Sequence, residues 1–480
     1  MTAPALWTTD AMANAMGAER QGLLPASICG LSIDSRSIGP DEAFFAIRGD
    51  HRDGHEFVPA ALSAKAALAV VAADRRSQFA AGAPLLIVPD VLAALRNLAV
   101  AARARLPGKV IGVTGSVGKT STKEALRLAL SKDGETHASV ASYNNHWGVP
   151  LSLARCPAGA HYAVLEMGMN HTGEIEPLSR LARPHVAIVT TIAPVHLEFF
   201  GTLDAIADAK AEIFSGVEPG GTAVINSDIA QFERLKAAAQ AAGIKHIMSF
   251  GGNETADAHA LKVSLQAETS TVHARVLGHD VTYKLGAPGR HVVDNSLGVL
   301  AAATLLDADL ALSALALGAL KPPAGRGERV ALDLPGGTAL LIDESYNANP
   351  TSMRAALALL GQVPMQGLGR RMAVLGDMLE LGPEGAALHA SLAEAVSAHA
   401  IDLVYCAGPL MKSLWDALPS ERRGGYADTS AALEAQVLGA VTANDAVMVK
   451  GSLGSKMGPI VKALRRRYTK SEQEQTLVQG

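Results

Sequence analysis

Along this chain, short unbroken apolar runs alternate with amphipathic, alanine-rich stretches. Residues 110–113 (VIGV) form one such run, followed by a glycine-bearing turn and a helical pattern from Lys119. Similar strand-like runs occupy residues 162–165, 186–190 and 222–225, with helical spacing between them. Residues 258–285 alternate instead (Val272, Ala274, Val276), which predicts extra antiparallel strands. A junction rich in Pro and Gly at 321–327 precedes a second alternating series, with strands at 339–342, 372–375, 403–406 and 446–449. Its helices fall after Ser352, around 387–398 and after Thr429. Before Pro107 the chain mixes short strands with alanine-rich helices. Strands alternating with helices imply mostly parallel sheets covered on both faces. The expected class is α/β in three domains: an N-terminal α/β domain (1–106), a central mononucleotide-binding domain on a parallel sheet (107–322) and a C-terminal Rossmann-like domain (323–480).

Composition agrees with several packed cores: 480 residues, 49% hydrophobic and 18% charged, are too many for one. A net charge of -4 gives no reason to expect nucleic acid or an anionic membrane as partner. The three cysteines, Cys29, Cys156 and Cys406, are scattered without a CxxC pair, so neither a disulfide framework nor a zinc site is expected. The N-terminus lacks a basic start followed by an apolar stretch, and no apolar run approaches the roughly 20 residues that span a bilayer. A soluble, cytoplasmic and monomeric protein is expected.

The sharpest local signal is VIGVTGSVGKTST, residues 110–122. A buried strand ends, the backbone turns through Gly115, Ser116, Val117 and Gly118, and a helix opens at Lys119. Glycines permit a close backbone approach, and N–H groups at a helix N-terminus suit polyphosphate. Lys119 would reach the terminal phosphates and the Thr120 hydroxyl would ligate magnesium. The loop is the shortened form GxxGKT, with Val113 where the longer pattern has its first glycine. By itself it leaves kinase, GTPase and ligase open.

Further motifs narrow the choice. YNNHWGVPLSL (143–153), EMGMNHTGEI (166–175), HLEFFGTLDAIADAKAEIF (196–214), PGRHVVDNSLGVLAAA (288–303), DESYNANPTSM (343–353) and KGSLGSKM (450–457) follow the loop in order. With DSRSIGPDEAFFAIRGDHRDGHEF (34–57), they make the chain resemble the Mur ligases, ATP-dependent amino-acid and peptide ligases of cell-wall synthesis. The DESYNANP stretch is similar to the branch that adds D-alanyl-D-alanine to a UDP-N-acetylmuramoyl-tripeptide. The Tyr-Ala-His-Thr-Pro motif of the branch adding diaminopimelate or lysine is missing, as is the Asp-Asn-Pro-Arg motif of its diaminopimelate-adding members.

The resemblance implies that ATP phosphorylates a substrate carboxylate, that an amine then attacks, and that the first domain holds the UDP-sugar substrate. It further implies catalytic work for Lys119, Glu166, His196 and Lys210, with Thr120, Glu166, His196 and Lys210 serving magnesium. For Lys210 that service would be as a carbamate or through positioning; read alone, Asp208 and Glu212 beside it suggest a surface lysine. ATP contacts are implied for Thr114 to Ser121, Asn295, Arg326, Asp343, Tyr346 and Asn347. Substrate contacts are implied for Ser35, Arg36, Asn144, Asn145, Asn347 and Asn349. His171 and His291 lie in matched motifs, where a structural use is equally open.

Overall fold

A computed structural model describes residues 4–49, 52–140 and 142–468. The N-terminal sheet has five strands in the order Glu19–Gln21, Leu85–Val88, Leu68–Ala72, Glu42–Phe45, Gly30–Ser32. All neighbours are parallel except the first pair. The runs LAVVA and LLIV are buried at every position, which is why they lack a two-residue alternation.

The central sheet has nine strands. From one edge they are Thr136–Ala138, Tyr162–Glu166, Lys109–Thr114, Val186–Val189, Thr222–Asn226, His246–Gly251 and Ala258–Leu265, all parallel. Ser270–Val276 and His279–Leu285 complete it as antiparallel strands, as the alternating pattern predicted. Of the expected antiparallel segment, Ala258–Leu265 differs: it joins its inner neighbour in parallel, through only two residue pairs. The chain winds outward in both directions from Lys109–Thr114, and such a switch point opens a crevice at the carboxyl ends of the strands. Helices Lys119–Leu130 and Arg290–Leu305 bury Leu126, Leu130, Leu297 and Leu300 on one face. Helices Gly148–Ala154, Ile175–Ala182 and Leu203–Ala211 cover the other face.

The C-terminal sheet runs Glu328–Leu334, Gly337–Glu344, Ala446–Lys450, Arg371–Gly376, Leu403–Ala407, Arg423–Ala427, parallel beyond its first hairpin. The helix expected around 387–398 is two, Gly385–Ala390 and Leu392–Ala398. At the break, Ser391 Oγ donates to the Leu388 carbonyl at 2.8 Å and accepts from Arg354 at 3.0 Å, a side-chain bond that competes with the helix ladder.

The domains are joined unequally. Leu151 and Ala154 of the central domain share one core with Leu31, Leu95 and Leu98 of the first. Trp7 Nε1 donates to the Ala154 carbonyl at 2.8 Å, Arg155 Nε to Leu31 O at 2.8 Å, and buried Arg103 Nε to Ala182 O at 2.7 Å. The cores of the central and C-terminal domains, by contrast, share no residue among those described.

Candidate active site

The phosphate loop adopts a shape only glycine permits at two positions. Gly115 has φ 148°, and a Cβ there would lie 1.9 Å from Thr190 Oγ1. Gly118 has φ 87°, caps the helix that begins at Lys119, and approaches Asn295 Nδ2 to 2.6 Å from where its Cβ would be. Thr190, which motif reading passed over, holds the turn: its hydroxyl lies 2.6 Å from Val117 O and 3.2 Å from Thr114 O. Ser116 N–H donates to Thr191 O at 2.7 Å, and Ser121 Oγ to Gly118 O at 3.0 Å. The Thr114 and Ser116 hydroxyls are buried without a partner among the described residues. Lys119 Nζ donates to Gly115 O at 2.7 Å, folded over its own loop. Burial lowers its pKa, Glu166 opposing and Arg326 adding to the shift.

Glu166 ends the strand beside Lys109–Thr114, paired in register with Val113, so its carboxylate emerges next to the loop. It is 1% exposed, which rules out a merely solvated carboxylate. Oε2 accepts from Thr120 Oγ1 at 2.9 Å and Oε1 from Asn144 Nδ2 at 2.8 Å. A separation of 2.9 Å between two hard oxygen donors is that of adjacent ligands on an octahedral ion with bonds of about 2.1 Å. The Thr120–Glu166 pair therefore fits magnesium. The described residues contain no cluster of three or more His, Cys, Asp or Glu able to hold an ion. Magnesium's habit of keeping waters and substrate oxygens suits so sparse a set.

Lys210 is not a surface residue: it is 3% exposed, with no hydrogen-bonding partner among the described residues. Burial holds its pKa well below the ordinary lysine value, Lys119 pushes it further down, and Glu212 opposes. The shift is toward the neutral amine, the form that adds carbon dioxide. Glu212 itself accepts from the N–H groups of Gly173, Ile175 and Glu176. Burial likewise lowers the pKa of His196, at φ 57°, Glu380 opposing and Lys210 and Lys119 reinforcing. Its Nδ1 meets Glu380 Oε2 of the C-terminal domain.

A cavity of about 520 Å³ lies between the central and C-terminal domains. Ser116, Val117, Gly118, Lys119, Ser121, Asn144, Glu166, His196, His291 and Asn295 line it from one side, and Arg326, Tyr346, Asn347 and Asn349 from the other. Arg326 stacks 4.1 Å from the Tyr346 ring and donates to Ser142 Oγ at 3.2 Å, closing one wall. Lys450, buried at the end of its strand, donates to Glu344 at 3.1 Å and to Asn347 O at 3.0 Å.

Other expected residues stand apart. Asp343 borders a neighbouring hollow rather than the main cavity, and accepts from Ser345 N and Oγ at 3.0 and 2.6 Å. Asn145 accepts from Gly148 N at 2.9 Å. Asn349, though it lines the cavity, is engaged in a capping box with Ser352 at the start of helix Pro350–Gly361. Ser35 and Arg36 follow the N-terminal strand Gly30–Ser32, away from the cavity lining; the Arg36 guanidinium is paired to Asp34 at 2.9 and 2.7 Å. His171 is exposed, tilted against Phe199 with ring centres 5.0 Å apart.

Residues 27–103 match the family description "Mur ligase family, catalytic domain", 113–303 "Mur ligase middle domain" and 325–453 "Mur ligase, glutamate ligase domain". The UDP-N-acetylmuramoyl-tripeptide--D-alanyl-D-alanine ligase of Escherichia coli is 33% identical over 464 residues, 96% of this chain and 99% of that protein. The ligase of the same name from Bacillus subtilis is 34% identical, with 91% and 93% covered. Among solved structures, MurF from Acinetobacter baumannii is similar with a TM-score of 0.81 at 28% identity, covering 96% of this chain and 99% of that one. The MurF ligase of Thermotoga maritima, solved in complex with ADP, gives 0.73 at 25% identity, covering 91% and 98%.

Proposed function

The chain belongs to the Mur ligase family, and from that premise we infer that it is the ligase joining D-alanyl-D-alanine to UDP-N-acetylmuramoyl-tripeptide. The relatives that match almost end to end carry that activity in their names. It is a nucleotide-binding enzyme of peptidoglycan synthesis. The observation that carries the chemistry is the buried Thr120–Glu166 pair beside Lys119, at the mouth of a cavity walled by two domains.

In the mechanism we propose, the γ-phosphate of ATP rests on the loop at Gly115–Thr120 with Lys119 turned from Gly115 O onto it. Magnesium, held by Thr120 and Glu166, would neutralise phosphate charge. A carboxylate oxygen of the tripeptide attacks the γ-phosphorus and ADP leaves, giving an acyl phosphate. The amine of D-alanyl-D-alanine then attacks the acyl carbon, loses a proton, and inorganic phosphate departs with the carboxylate oxygen. Little of this needs covalent help from the protein: positioning and preorganised charge do most of it. Lys210 and His196 would serve a second magnesium, with Lys210 as a carbamate. Asn295, Arg326, Asp343, Tyr346 and Asn347 would hold the nucleotide. Ser35 and Arg36 would bind the uridine diphosphate, Asn144 and Asn145 the muramoyl-peptide arm, and Asn347 and Asn349 the dipeptide.

The proposed division is 1–106 for the UDP substrate, 107–322 for ATP and 323–480 as the closing domain. A cytoplasmic monomer without nucleic-acid or membrane partners completes the proposal; the three cysteines are free, and no described helix is long and apolar enough to cross a membrane. The test is phosphate release from ATP and magnesium. It should require UDP-muramoyl tripeptide and D-alanyl-D-alanine together; equal release with either omitted, or with a single amino acid replacing the dipeptide, would refute the assignment.

A further inference from the structure

The strand Arg371–Gly376 of the C-terminal domain leads into a segment that faces the phosphate loop across the domain seam. Two contacts and one close backbone approach seat it there. Glu380 Oε2 meets His196 Nδ1, the Glu380 carbonyl accepts from Glu198 N–H at 3.1 Å, and a Cβ on Gly382 would lie 3.4 Å from Glu198 Cα. Glu380 and His196 both hold left-handed backbone, at φ 62° and 57°, and both line the cavity. With the carboxylate accepting, the tautomer this contact favours carries its hydrogen on His196 Nδ1 and its lone pair on Nε2.

We propose that Glu380 is a positioning residue that reaches from the C-terminal domain to fix the tautomer and ring orientation of His196, so that closure of that domain completes the second metal site. The proposal rests on the reading of His196 as a metal ligand given above. A ligating imidazole commonly donates its other N–H to a carboxylate, which orients the ring and raises its basicity. Here that carboxylate is carried by a different domain, and the two domains share no core. The carboxylate that orients His196 is therefore supplied across the domain seam, whereas Thr120 and Glu166 sit together within the central domain. Magnesium takes imidazole reluctantly, so a ring left free to rotate would be a poor ligand.

The test is manganese binding to the full chain, followed by electron paramagnetic resonance with a non-hydrolysable ATP analogue and UDP-muramoyl tripeptide at saturation. Glu380→Asn suits the left-handed backbone but is one methylene too short to reach, while Glu380→Gln keeps both length and acceptor. The wild type should bind two ions. Glu380→Asn should weaken the weaker ion by about 10–100-fold and leave the tighter one unchanged, and Glu380→Gln should stay close to wild type. An unchanged weaker site in Glu380→Asn overturns the inference and leaves the metal reading standing. Equal weakening of both ions also overturns it, since that marks general loosening. A single ion in the wild type overturns the metal reading and this proposal with it.

Discussion

Replacing Lys210 by methionine should stabilise the protein while abolishing ligation. Lys210 as a residue is 3% exposed and makes no hydrogen bond to another described residue, while its nitrogen keeps some contact with solvent; partial desolvation of such a group costs about 1–3 kcal/mol. Methionine keeps the length and apolar stem without the amine. For a domain of this size each kcal/mol moves the midpoint by about 2–4 °C, so Lys210→Met should melt roughly 2–12 °C higher in bicarbonate-free buffer. The sign with pH follows from linkage. Burial depresses the folded-state pKa, so between that value and the ordinary lysine value the unfolded chain binds the extra proton, and wild-type stability rises with pH. The advantage of the variant should therefore be largest near neutrality and shrink as pH climbs toward about 10.4. Calorimetric scans from about pH 7 to about pH 10 decide it. A variant less stable than wild type, or a gap that does not narrow with pH, would refute the picture of a desolvated neutral amine.

Gly115→Ala drives a Cβ into Thr190 Oγ1 and should weaken ADP binding by at least tenfold, about 1.4 kcal/mol, in isothermal titration. Gly159→Ala, with nothing within 4 Å of the added carbon, should bind normally. Lys450→Met leaves the Glu344 carboxylate, 17% exposed, without its cation and should cost about 3 kcal/mol of stability. Adding Glu344→Gln should recover part of that loss in a double-mutant cycle by thermal unfolding.

The parts legible in the sequence were those determined by neighbours along the chain. The strand before Gly115, the helix from Lys119 and the carboxylate closing the strand at Glu166 needed only local patterning, and sheet register then placed Glu166 beside Thr120. Lys210 was ambiguous because Asp208 and Glu212 flank it, yet Ile206 and Ala207, four and three residues earlier, mark the buried stripe of the same helix. Asn349 also carried a cap signal, with Pro350 after it and Ser352 three positions on. What no local pattern could supply are the pairs made by domain packing or by strand pairing far along the chain. Glu380 with His196 and Arg326 with Ser142 each span 184 residues, and Lys450 with Glu344 spans 106.

The shared core around Leu151 and Ala154, bolted by Trp7, Arg103 and Arg155, makes the first two domains a single frame. On the proposed assignment of the uridine end to Ser35 and Arg36 of that frame, with the phosphate loop built into it, the span between them would behave as a fixed gauge. A precursor whose peptide arm is one residue too short would be held firmly at its far end and still present its carboxylate out of reach of the γ-phosphate. Such a molecule would occupy the enzyme as an inhibitor rather than react slowly.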